Sequence, residues 1–182
     1  MGFSMRRVNA LFKKELKDVL KNTNIFIMVL LPLVICFLYS KVFGSVSGKL
    51  DGKSSSLFVL DLSVNMNLIL VSAFVIAMLI AEEKEKNTLR TLMLSAVTPL
   101  EFFAGKALLT LFMTIVTNTI MFFILSIELR HLPLFLGATT LCSFCMIAFG
   151  ALIGILAKNQ MATGALGMPL YFGFLLLSLI HI

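Results

Sequence analysis

Few residues in this chain are placed to do chemistry. Gly44-Ser-Val-Ser-Gly48-Lys49-Leu50 invites comparison with a phosphate-binding loop. The spacing fails, because three residues rather than four separate the glycines, and Leu50 stands where a Ser or Thr would hold magnesium. Cys142 and Cys145 have the spacing of a redox or metal pair. They sit inside an apolar run with no second pair and no nearby histidine, so they read as small packing residues. His131 is the only internal histidine, and it falls in a turn on the far side from Glu82 and Glu83. With no Asp/Glu/His cluster at one depth, metal-assisted hydrolysis has no ligands. The expectation is a chain that is not an enzyme, with no cofactor and no ATP site of its own.

What remains is one long polar interruption, Glu82 to Lys106, in an otherwise oily sequence. A charged block opens it: Glu82, Glu83, Lys84, Glu85 and Lys86. Leu89, Leu92 and Met93 follow on one helical face, then a break at Ser95-Ala96-Val97. Thr98-Pro99-Leu100-Glu101 is a helix start: Thr98 caps, Pro99 takes the first helical position, and Glu101 bonds back to the cap. Helix, break and helix between two spans make a rigid knob, shaped to touch something in the cytosol.

The elements that must position this knob are membrane helices. The chain has 182 residues, 59% hydrophobic and only 13% charged, where a soluble domain carries about a quarter charged residues. Apolar runs long enough to cross a bilayer lie at 25–43, 57–81, 107–127, 134–156 and 164–182. With the N-terminus inside, the cytosolic segments hold eleven basic residues and the outer segments four, Lys41, Lys49, Lys53 and Arg130. The net charge of +6 thus reads as membrane topology, with no nucleic-acid partner. The fold class is all-α, a polytopic helical membrane protein.

Residues 5–22 form an amphipathic helix, with Val8, Leu11, Phe12, Leu16, Val19 and Leu20 on one face and six cations around the rest. It belongs in the inner headgroup layer, beside anionic membrane lipid. Glu15 projects from the middle of the apolar face, where a lone carboxylate is costly. A basic or amide partner is expected there; the alternative is that Glu15 reaches up to water. On the second span, Asp61, Asn65 and Ser72 share one helical face and are candidates for lining a substrate path or for pairing with a neighbouring helix; the alternative is that Asp61 marks the membrane interface and the core starts at Leu62. Gly150-x-x-x-Gly154 lets another helix approach closely.

The loop residues Glu83, Lys84, Glu85, Lys86, Thr88, Leu89, Leu92, Thr98, Pro99, Gly105 and Lys106 follow a pattern that resembles the membrane subunits of type-2 ABC exporters. The Lys13–Leu16 run is similar to that family's amphipathic helix. Asn87 departs from the pattern, standing where the family often has Gly; Asn tolerates a left-handed backbone better than most residues. The resemblance implies a permease subunit in a bacterial cell membrane, with a separate ATP-binding cassette subunit that binds ATP and magnesium, and a second permease copy. It also implies that Glu83, Glu85, Leu89, Leu92, Thr98, Pro99 and Glu101 form a coupling helix docked on the ATP-binding subunit. The family usually has six spans. Five spans, and a closing Leu177–Ile182 that reads like sequencing-adapter code, make a truncated fragment the expectation. Alternative readings are an intramembrane protease-like enzyme, lacking the Arg expected at Asn87, or a membrane anchor or signalling scaffold.

Overall fold

The computed structural model describes residues 4–46, 52–88 and 98–181. Helix α1 spans Met5–Lys21 and α2 Thr23–Val46. A long rod follows in three windings: α3, Gly52–Asn67; a π-helix, Leu68–Val75; and α4, Ile76–Glu85. Then come α5, Pro99–Ile124, a 3-10 turn at Leu129–His131, α6, Leu132–Leu156, and α7, Gln160–His181.

Among the described residues, four stretches are long and apolar enough to cross a membrane: Thr23–Val42, Leu57–Glu85, Pro99–Ile124 and Leu129–Leu156. The fifth apolar segment lies in α7. The protein is an all-α polytopic membrane protein. Its axis is the Leu57–Glu85 rod: 78% of that rod's most apolar stretch is buried, against 17% for Thr23–Val42. The outer helices turn Phe26, Leu30, Phe37, Phe112, Val116, Phe123, Leu141 and Phe144 outward, as helices bathed in lipid do.

At both flanks of the polar loop the helices run beyond the sequence intervals. The helix that carries the second span winds on past Ala81 through the charged block to Glu85, and the helix that carries the third starts at Pro99, behind the Thr98 cap that the sequence predicts. Both flanks of the polar loop are therefore extensions of spans. The rod ends where Asn87 takes a left-handed backbone, φ 56°, which Asn accepts more readily than most side chains. The gap of 157–163 between the last two apolar runs narrows to a turn at 157–159, because Asn159 accepts from the Ala162 N–H at 2.8 Å and α7 starts at Gln160.

α6 packs against the rod through its glycines. A Cβ on Gly150 would overlap the Ala73 carbonyl, and one on Gly154 would lie 2.8 Å from the Ala77 carbonyl oxygen. The glycine pair thus serves packing within this chain. α1 lies along α5: Leu11 closes on Gly105, and Phe12 meets Phe112 edge-on with centroids 6.0 Å apart.

Candidate functional site

Every residue of the charged block has a partner. Glu82 accepts from the Asn22 amide at 3.0 Å and pairs with Lys86 at 2.5 Å. Glu83 pairs with Lys14 at 3.0 Å and Lys106 at 3.4 Å, and accepts from the Thr88 hydroxyl. Lys84 donates to the carbonyls of Ile155 and Ala157, and Glu85 accepts from the Gln160 N–H. The block is a junction where α1, α5 and the 157–159 turn meet the end of the rod.

At its centre lies Lys106, 1% exposed. Its ammonium is 2.9 Å from the Glu15 carboxylate and 5.0 Å from the centroid of the Phe102 ring. Glu15 is 3% exposed, so the apolar face of α1 rests on protein at that position and not on acyl chains. A buried charge is tolerated only when paired and hydrogen-bonded, and here two carboxylates are balanced by Lys106 and Lys14. Burial pulls the Lys14 pKa down. The hydrogen bond to Glu83 and the fields of Glu15, Glu83 and Asp18 outweigh it, so the pKa stands above the ordinary lysine value.

The far flank of the loop is tied down by its cap. Thr98 accepts from the Glu101 N–H at 3.3 Å, and Glu101 accepts from the Thr98 N–H at 2.9 Å, the reciprocal box that the sequence predicts. Glu101 does more than the sequence shows. It is fully buried, accepts from the Ser4 N–H at 2.7 Å and lies 3.4 Å from Arg7. It therefore caps α5 and fastens the start of α1 with one carboxylate.

Deeper in the bundle a polar ladder joins rod and α5. Asn67 donates to Asn118 at 2.7 Å and accepts from Thr117 at 2.9 Å, and Ser72 shares a 2.9 Å bond with Thr114. Asp61, Asn65 and Ser72, expected along one face of the second span, meet different partners. Asn65 turns back onto Asp61, bonding its carboxylate at 3.2 Å and its carbonyl at 2.9 Å, at an exposed end of the rod. Ser72 falls inside the wider π turn, which changes the angular register, and is buried against α5. Among the described residues, no cluster of His, Cys, Asp and Glu could hold a metal.

The ABC-2 type transporter family profile matches residues 6–181. The chain belongs to that family. No curated protein and no solved structure matches it. As an ABC-2 membrane domain it is a transport permease, a class not itself catalytic, whose family works with an ATP-binding cassette partner.

Within this ABC-2 permease the seven loop residues assigned to docking separate into groups. Leu89 and Leu92 lie outside the described residues. Glu83 and Glu101 point inward, 7% and 0% exposed, and their carboxylates are occupied by residues of this chain. Glu85 is exposed but bonded to Gln160. Pro99 stands exposed and Thr98 half-buried. Beside them Leu100 is 74% exposed, an apolar side chain at the loop's edge. In sequence, Lys84 and Lys106 stand only as members of the loop pattern and Lys14 only as one cation of the amphipathic helix. A lysine at the border of a span looks like an ordinary topology signal, and nothing local marks its long-range partner.

Proposed function

We propose that this chain forms the translocation path of an ATP-driven exporter and receives its push from a separate ATP-binding cassette subunit at the 82–106 loop. The observation that carries this reading is the continuity of both flanks of the loop with spans. α4 runs without a break from the bundle axis to Glu85, and α5 runs from Pro99 into the third span. A force on the loop is therefore a force on two levers, and tilting them alternates access. The loop faces the cytosol with the N-terminus, a placement that the excess of basic residues at this end supports. Pro99, Leu100 and the 89–97 segment provide the docking face. ATP and magnesium reside on the partner. A second permease copy completes the path, with Asp61 and Asn65 near its outer mouth.

Co-expression with the ATP-binding subunit tests the reading. Leu100→Asp and Leu92→Asp are expected to lose the ATPase on co-purification while the permease stays monodisperse in detergent. Equal retention by wild type and both variants would overturn the docking assignment. A cysteine at Asn87 labelled from outside intact cells would overturn the topology.

A further inference from the structure

The loop's charged block also reaches the turn between α6 and α7. Lys84 Nζ donates to the carbonyl oxygens of Ile155 at 2.6 Å and Ala157 at 2.5 Å, where α6 ends. Its neighbour Glu85 accepts from the N–H of Gln160 at 3.1 Å, where α7 begins. A helix C-terminus leaves carbonyls unsatisfied and carries partial negative charge, and an N-terminus presents the opposite. Consecutive residues of opposite sign thus meet two helix ends of opposite polarity. Exchanging the two would repel both.

These end contacts add to contacts made further along. α6 already touches the rod at Gly154, where the Ala77 carbonyl comes within van der Waals reach. α7 touches it at Tyr171, whose ring lies 5.4 Å from that of Phe74. A helix held against another at two separated points cannot pivot on it independently. Glu82 and Glu83, meanwhile, are tied to Asn22, Lys14 and Lys106 on the other side.

We propose that Lys84 and Glu85 are positioning residues that yoke the 157–159 turn to the coupling loop, so that a push on the loop moves α6 and α7 together with the rod. The source of the push rests on the proposed function; the yoke itself does not. Glu82 and Glu83 send the same displacement to α1 and α5, so the block divides one input between two halves of the bundle.

Hydrogen exchange on the permease in nanodiscs, alone and with its ATP-binding subunit, tests the yoke. In the permease alone, amides of 157–161 are expected to exchange about fivefold faster in Lys84→Met and Glu85→Met, the effect of losing a helix cap. Lys84→Arg keeps the donors and restores wild-type exchange. Equal exchange in wild type and all three variants overturns the clamp. With the ATP-binding subunit, ATP changes exchange at both 82–88 and 157–161 in wild type; in Lys84→Met the change at 157–161 is lost while that at 82–88 persists. Persistence at both places overturns the transmission. A wild-type loop that ignores ATP counts against the proposed function instead, and the comparison without the partner still decides the clamp.

Discussion

The Lys106 ammonium lies 2.9 Å from the Glu15 carboxylate, at a place where neither residue reaches solvent. The pair joins the amphipathic helix to the third span, and Glu83 joins it to the rod. Removing the shared cation leaves two buried carboxylates with Lys14 alone between them, one negative charge in excess. Lys106→Met is expected to cost about 3–5 kcal/mol, the penalty of an uncompensated buried charge. Glu15→Gln with Lys106→Met should cost less than the two single changes added. Thermal loss of monodispersity in detergent measures both; simple additivity would show that the two residues act separately.

Gly150 and Gly137 share α6 but not surroundings. A Cβ at Gly150 meets the Ala73 backbone, while nothing lies within 4 Å of one at Gly137. Backbone cannot rotate away as a side chain can. Gly150→Ala should lower stability by about 1–3 kcal/mol, and Gly137→Ala should leave it unchanged or raise it by about 1 kcal/mol. The same thermal measurement compares them, and equal midpoints would refute the close approach.

Asn67 serves three bonds at once, to Asn118, Thr114 and Thr117. Asn67→Leu leaves those groups without their partner in a dry interior. The expected loss is about 1–2 kcal/mol, near the upper range for polar contacts between membrane helices. Ser72→Ala, which removes one bond to Thr114, should cost about 0.6 kcal/mol. A larger effect at Ser72 than at Asn67 would contradict the ranking.

The Lys14 pKa is raised above the ordinary 10.5. A group whose folded pKa is raised contributes stability that is complete below its unfolded pKa and disappears as pH rises through the folded one. The midpoint gap between wild type and Lys14→Met is therefore expected to be full at about pH 8 and to close at alkaline pH above the ordinary lysine value. A gap that widens with pH would reverse the sign.

Helices long and apolar enough to cross a bilayer were legible because its thickness demands a run of about 20 apolar residues and little else satisfies it. The Thr98 cap was legible because all its parts lie within four residues. The position of Glu15 on an oily face shows that it needs a partner, but nothing local names Lys106. Glu83 and Glu101 look like solvated loop charges in sequence. Their burial depends on α1 folding back along α5, a contact that no local pattern encodes. Leu68–Val75 reads as any apolar stretch, since π winding is set by what packs beside it.

A rod with one wide turn holds more residues than even winding would need. Each residue of an α-helix advances the direction of its side chain by about 100°. Dropping one residue between Asn67 and Glu82 would swing Glu83 away from Lys106 and bring a neighbour round in its stead. The stretch can exchange one oily side chain for another, yet its length is a gear setting: descendants that gain or lose a single codon there must re-index the charged tip or lose the junction.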